Sequence, residues 1–416
     1  MSARRVAVTG LGLVSSQGSD VPAVFDAWCQ GISGIAAHDI GEAPHSLRIP
    51  YALCSDFDAA PILGRPRLTT MDRVSQLSTV AALAAWNDAQ LSELPADARD
   101  AVPVHWGTGG GGTHTTDRSY RDLFVKGRAR ISPLTVVLGM HNAAASQIAL
   151  NLALGAECMT YSVACASSAV AIGEAFRRVR AGEADIAVAG GAEAAMPYGM
   201  AKAWESLQVM APLNDDTAHQ CRPFHAERQG LVLGEGAAAL ILEDWDHAQA
   251  RGAQIYAEII GYGSTCDHTH LTTPDARGQV RAIHKALRDA DVSHEDVDYV
   301  NAHGTATKEG DPVESQALRE AFGDHASQVA ISSTKSMHGH LLGAAGAIEA
   351  LTTVMALHEQ RLPPTLNLHE IDPACVGLRH LAPGQQPPTS VRVALSNSFA
   401  FGGSNAVLVL RAPQEA

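Results

Sequence analysis

Cys165 stands in the peptide Val163-Ala164-Cys165-Ala166-Ser167-Ser168-Ala169, and two histidines far downstream occupy settings that suit catalysis. After the cysteine, Ala169, Ile172, Ala175, Phe176 and Val179 recur at three- and four-residue spacing, which predicts a helix starting just past it. A cysteine at a helix N-terminus feels the positive end of the macrodipole, so the thiolate is favoured and the thiol pKa is expected to fall. The small flanking residues let other segments pack closely around a buried nucleophile. His303 lies in Asn301-Ala302-His303-Gly304-Thr305-Ala306-Thr307, directly after the strand-like Val297-Asp298-Tyr299-Val300. A strand end followed by a turn is where open α/β sheets place their chemistry. His340 closes Ser333-Thr334-Lys335-Ser336-Met337-His338-Gly339-His340 and precedes a helix signal of small residues, Leu341 to Ala347. A lone cysteine fits an inert core residue, and either histidine alone fits a packed or solvated one. A thiol, two imidazoles and a lysine, each beside a turn or an element end, fit nucleophilic catalysis better than packing.

The elements that must position these groups repeat. Arg5–Gly12 opens one half of the chain and Ile255–Gly263 the other; Val102–Thr108 corresponds to Val297–Thr305, the helix after Cys165 to the helix after His340, and Leu233–Leu242 to Gly402–Leu410. Strand signals alternate with helix signals in both. The expected division is residues 1–252, carrying the nucleophile, and 253–416, carrying both histidines. Two such α/β halves can bury their central helices against each other, with Cys165 and His340 near one pseudo-twofold axis. The run Gly109-Gly110-Gly111-Gly112 lacks the Gly-Lys-Ser/Thr ending of a phosphate loop and the GxGxxG context, so nucleotide binding is not expected. Pro363-Pro364 and Pro387-Pro388 read as ordinary connections.

Composition sets outer bounds. At 416 residues the chain is long for one domain and suits two joined halves. Thirty Lys and Arg against 44 Asp and Glu give a net charge of −14, which argues against a general nucleic-acid binder and requires a local basic patch for any acidic partner. Seven scattered cysteines without a CxxC suggest a reducing compartment, neither disulfide framework nor zinc site, and a cytoplasmic location. The pairs His268/His270 and His338/His340 bring no nearby Cys or carboxylate set with ligand geometry, so no metal is expected. No apolar stretch is long enough to span a bilayer. Arg4-Arg5 before Val6-Ala7-Val8 resembles a leader, but Thr9, Gly10 and Gly12 interrupt the run as a first strand and turn would.

Several stretches together resemble the elongating Cys-His-His branch of the β-ketoacyl-acyl-carrier-protein synthases, condensing enzymes of the thiolase superfamily. They are Ala164–Ser168, Gly190–Glu193, Arg222–Phe224, Gly234–Ala237, Asn301–Thr305, Ser333–Ser336, Gly339–Gly346 and Asn397–Asn405, in family order, and the likeness runs from about residue 4 to 411. The resemblance implies a thiolase-like fold, a duplicated five-layer α-β-α-β-α architecture. It implies decarboxylative condensation of acyl- and malonyl-thioesters on acyl carrier protein, without a cofactor. Cys165 would carry the acyl chain, with the amides of Cys165 and Phe401 as oxyanion hole. His303 and His340 would hold the enolate, Lys335 and Glu349 would support them, and Asp311 and Glu314 would be structural acids beside the His303 loop. His338 replaces a threonine more usual in this motif.

The resemblance further implies a homodimer, or a heterodimer with a related ketosynthase-like subunit, pairing near Cys158–Tyr161. Arg65, Arg67, Arg73 and Lys202 are candidates for docking an acidic carrier protein. Gly110 falls where relatives place a bulky aliphatic residue at the acyl-pocket wall, with Phe401 also lining that pocket; glycine would enlarge it. A degradative thiolase would need a second cysteine in the loop Phe399–Asn405, a chain-length-factor subunit would lack Cys165, a decarboxylase-only synthase would carry glutamine there, and an initiating synthase would have asparagine in place of His340. Whether the pathway is housekeeping fatty-acid synthesis or a specialised polyene or polyketide route stays open at this level.

Overall fold

The computed structural model describes residues 3–42, 44–385, 387–388 and 390–413. Among these residues one sheet of eleven strands carries the architecture: a short edge strand, Arg379–His380, paired beside Ala330–Ser332, and ten strands that divide between the halves. The N-terminal half supplies β1 (Val6–Val14), β2 (Val104–Gly107), β3 (Cys158–Tyr161), β4 (Ile186–Glu193) and β5 (Gly236–Asp244). The C-terminal half supplies β6 (Ala257–Cys266), β7 (Tyr299–Asn301), β8 (Ala330–Ser332), β9 (Val393–Phe399) and β10 (Ser404–Arg411). From the centre outward the halves read β1-β5-β4-β2-β3 and β6-β10-β9-β7-β8, the same order of first, fifth, fourth, second and third. Directions match too: the two innermost pairings of each half are antiparallel and the two outer ones parallel. Every correspondence expected between the halves falls on equivalent elements. The halves are not separate sheets, however. Three pairs, Val6 with Ile259, Ala7 with Glu258 and Val8 with Ala257, join β1 to β6 and make the hydrogen bonding continuous.

Helix composition decides which layer each helix occupies. In α5 (Ala345–Glu359) every residue from Ala345 to Leu357 is buried, because the stretch is apolar or small apart from Thr352, Thr353 and the ion-paired Glu349. It lies between the halves against α2 (Ser167–Ala181). Their contact is close at Gly346, where a Cβ would come within 2.7 Å of both the nitrogen and Cβ of Ala169. Outer helices are one-sided: α3 (Ala276–Asp289) buries Ala282, Ile283, Ala286 and Leu287 on β6 and turns its charged residues outward, with α4 (Gly310–Phe322) beside it. On the opposite face α1 (Arg73–Asp88) covers β1 and β5. Layers therefore run helix, sheet, paired central helices, sheet, helix. Among the described residues no helix is long and apolar enough to cross a membrane.

Beyond this frame a hairpin, Ala36–Glu42 with His45–Ala52, forms a small separate sheet. Its residues Ile40, Ile49 and Tyr51 join Ala195, Met196 and Leu342 in an apolar cluster around Cys165.

Candidate active site

Cys165 sits at the bend between β3 and α2. Ala164 just before it has φ +51, a left-handed conformation that costs an alanine roughly 1–2 kcal/mol. Ser167 holds this bend: its Oγ accepts from Val163 N at 2.9 Å and donates to Ala164 O at 2.6 Å. The bend turns Sγ toward the C-terminal half, where His340 Nε2 lies 3.0 Å away. The His303 ring stands edge-on to His340, with centroids 5.4 Å apart and planes at 88°. The sulfur and one nitrogen from each ring fall within 4.8 Å of one another. Residues 175 positions apart in the chain thus converge, because α2 and α5 start at the same end of the central layer.

The histidine tautomers are set by their partners. His340 Nδ1 accepts from Leu342 N at 3.3 Å, and His303 Nδ1 faces the Lys335 ammonium at 3.4 Å. Ammonium and amide can only donate, so both Nδ1 atoms are acceptors and both protons reside on Nε2. Burial first, then the Lys335 charge, hold both imidazoles well below the ordinary histidine value, so both are neutral N–H donors. In this form Nε2 has no lone pair to offer a metal, although the Cys165, His303 and His340 trio is compact enough to surround one.

Lys335 is wholly buried, donates to His303 O at 2.6 Å and pairs with the equally buried Glu349. Burial raises Glu349 to about 7 against the pull of Lys335. Glu314 takes the amides of His303 and Gly304 at 2.8 and 2.7 Å, while Asp311 takes those of Phe224, Thr305 and Ala306. Both acids hold the loop backbone on which His303 rides.

The sulfur departs from the expectation of a lowered pKa. Burial pushes the Cys165 thiol up to about 12, and the lowering influence of Lys335 does not offset it. The resting group is a thiol rather than a thiolate. The His340 Nε2–H and the Phe401 amide, which also points at the sulfur, are the donors that would stabilise negative charge there. Gly402 and Gly403, at φ +83 and +76, give the loop the left-handed turns that bring the Phe401 amide in.

A cavity of about 500 Å³ opens onto these groups, lined by Cys165, His303, His340, Phe399 and Phe401 within and by Thr305, Thr307 and Lys308 toward the mouth. Trp204 stacks on Phe401 with ring centroids 6.2 Å apart at 21°; nothing in the local sequence marked this tryptophan. Gly110 does not line this cavity. A Cβ there would meet Ala195 Cβ and Thr113 Cγ2 at 3.1 Å each and Glu193 Oε1 at 3.3 Å. Ala195 belongs to the apolar cluster around Cys165, which ties Gly110 to the acyl side of the site indirectly. The glycine run instead serves Glu193, a buried carboxylate that accepts from the amides of Gly109, Gly110 and Gly343 at 2.7, 3.1 and 3.0 Å. One acid thereby ties the glycine loop of one half to the turn after His340 in the other. The sequence contained Glu193 in a matching motif but gave no sign of this role.

Of the docking candidates, Arg65 and Arg67 are exposed. Lys202 is half-exposed and paired with Glu205. Arg73 is withdrawn from the set: its guanidinium makes a two-pronged contact with buried Glu235 at 2.8 and 2.5 Å and bonds Cys54 O, so it secures the start of α1.

The family model described as "Beta-ketoacyl synthase, N-terminal domain" matches residues 3–248, and that described as "Beta-ketoacyl synthase, C-terminal domain" matches residues 256–369. Nodulation protein E of Rhizobium sp. (strain N33) is 42% identical over 98% of this chain and 99% of its own length. The 3-oxoacyl-[acyl-carrier-protein] synthase 2 of Synechocystis sp. is 41% identical over 98% of both. Among solved structures, the ishigamide ketosynthase/chain length factor superposes with a TM-score of 0.91 at 33% identity, covering 99% of this chain and 100% of that one. These matches span both halves and all three groups at the cavity floor, and the chain belongs to the β-ketoacyl synthase family.

Proposed function

We propose that this protein is a 3-oxoacyl-[acyl-carrier-protein] synthase: it joins an acyl chain to a two-carbon unit from malonyl carrier protein by decarboxylative Claisen condensation. The observation that carries this reading is the pair of neutral Nε2–H imidazoles facing one buried thiol. Cys165 Sγ attacks the acyl thioester; the carrier thiol leaves, and the sulfur's proton ends on it. The amides of Cys165 and Phe401 hold the tetrahedral oxyanion. In the second half-reaction the bond to the malonyl carboxylate breaks and CO₂ departs. The electron pair moves onto the thioester, whose oxygen is held by His303 and His340. The resulting carbanion attacks the acyl-Cys165 carbonyl, the carbon–sulfur bond to Cys165 breaks, and the departing sulfur takes one proton from solvent to restore the resting thiol. Lys335 and Glu349 keep His303 in its donor tautomer, and no external cofactor is needed.

Mass spectrometry of carrier-bound products, after mixing the protein with acyl- and malonyl-carrier protein, tests the reading. A 3-oxoacyl product two carbons longer supports it, and hydrolysis without chain growth sinks it. The same assay reads chain length. Gly110→Ile forces a branched side chain against Ala195 and Thr113, an overpacking of about 1–3 kcal/mol. The expected result is a shorter longest product with short-chain condensation kept. Uniform loss at every length, or no change, would remove Gly110 as a length determinant. The ishigamide neighbour supports a specialised route with a ketosynthase-like partner, while the Synechocystis synthase 2 at 41% identity fits general fatty-acid synthesis equally well.

The protein acts as a dimer. Strand β3 bonds on one side only, to β2, and leaves Cys158 and Met159 exposed at the sheet edge. Helix residues nearby in the chain, Phe124, Val136 and Val137, are exposed apolar groups that a second subunit would cover. Sedimentation at micromolar concentration should give a dimer, and a stable active monomer would overturn this. Arg65 and Arg67 would meet an acidic carrier protein. The seven free cysteines favour the reducing cytoplasm as its location.

A further inference from the structure

His338 does not face the thiol. Its ring lies edge-on to Trp28, 5.4 Å between centroids at 61°, and it does not line the cavity. Both ring nitrogens are engaged: Nδ1 is 2.8 Å from Gly339 O and Nε2 is 2.9 Å from Thr334 Oγ1. A carbonyl can only accept, so Nδ1 carries the proton and Nε2 accepts from the threonine hydroxyl. Burial keeps the ring neutral, with its pKa lowered to about 3, so this arrangement does not change around neutral pH.

The bond to Gly339 matters because this glycine leads directly into His340. Gly339 has φ +71 and ψ −177 and joins a short helix, Lys335–His338, to His340. Glycine is the residue least able to hold such a conformation by itself. The peptide between Gly339 and His340 is pinned at both ends: its carbonyl by His338 Nδ1–H, its N–H by Val232 O at 2.7 Å. Rotation of this peptide would swing the His340 imidazole away from Cys165 Sγ. We infer that His338 is a positioning residue for His340, clamping the Gly339–His340 peptide so that Nε2–H stays aimed at the reacting atoms. Thr334 and Trp28 hold the clamp in place.

This inference rests on the condensation chemistry proposed above, so decarboxylation of malonyl-carrier protein is measured for the parent alongside the variants. A parent without decarboxylation would count against the proposed function; an active parent with insensitive variants would count only against His338. His338→Phe keeps an aromatic ring against Trp28 and removes both hydrogen bonds. Its kcat should fall about 10-fold with KM for the malonyl carrier unchanged, less than the roughly 10²-fold that a 1 Å misplacement can cost. His338→Asn restores a donor near the Nδ1 position and should recover most of that loss. Acylation of Cys165 should change less in both.

A His338→Phe protein that decarboxylates at the parental rate overturns the proposal. So does a His338→Asn protein as impaired as the phenylalanine variant when both melt like the parent. If His338→Phe is not recovered folded, Thr334→Val carries the test, because it releases the ring on its far side without touching Gly339. A kcat loss of about threefold at constant KM is expected from partial misalignment, and an unchanged kcat overturns the clamp.

Discussion

Cys165→Ala abolishes acyl-enzyme formation and condensation while leaving the decarboxylation of malonyl-carrier protein measurable. Among the described residues the sulfur is the one thiol at the floor of the cavity, and it lies 3.0 Å from His340 Nε2. Without it no thioester exchange can take place, and a methyl group cannot replace a leaving group that accepts the acyl chain. The two imidazoles keep their partners in the variant, since Leu342 N and Lys335 fix them independently of Cys165. The enolate site therefore survives the loss of the nucleophile. Intact-mass measurement after incubation with acyl-carrier protein reads the first half, and CO₂ release reads the second. Residual acylation, or labelling by a thiol-directed inhibitor that maps mainly to another cysteine, would sink the assignment. Because burial lifts this thiol to about 12, alkylation of the resting enzyme should be slow near neutral pH and should quicken as pH rises.

His303→Ala and His340→Ala give the converse phenotype. Each removes one of two preorganised N–H donors from the developing enolate oxygen, and loss of such a donor typically costs about 10²–10³ in rate, or roughly 3–4 kcal/mol. Decarboxylation should fall by that factor in either variant, with acylation of Cys165 less affected. Variants that decarboxylate at the parental rate would show the role to be wrong. The sign of the pH effect comes from the same geometry. Both imidazoles are held well below 6.5, so the donor form persists as pH falls through that value and these groups contribute no acid limb there. A parental decarboxylation rate that halves near 6.5 through histidine protonation would contradict the neutral pair.

The equivalence of β1 with β6 and of α2 with α5, and the identities of the thiol, both histidines and the lysine, were legible in the sequence. Short-range signals carry them: apolar runs fix strands buried on both faces, three- and four-residue spacing fixes helices, and strand ends mark the turns. Features set by which side chain meets which distant backbone were not legible. Arg73 looked like a free surface cation and is bound to Glu235, 162 residues away. Gly110 looked like added room at the acyl pocket, yet its amide and that of Gly109 bond Glu193. Pro363-Pro364 read as a plain connection, yet the adjoining Thr365 and Leu366 bond to Ser333 and Ser336 in the catalytic segment.

The sequence by itself marked the candidate groups and the elements they ride on, because a cysteine before a helix signal and a histidine after a strand signal are local facts of spacing. Tertiary structure alone decided their state. A helix N-terminus argues for a thiolate, but the same folding that brings His340 to Cys165 also strips water from the sulfur, and desolvation outweighs the Lys335 charge. That water exclusion keeps both imidazoles neutral as well, and the partners Leu342 and Lys335 choose which nitrogen of each bears the proton. Charge state and tautomer depend on burial and on the partners that folding brings to each ring, and neither quantity is written in local residue spacing.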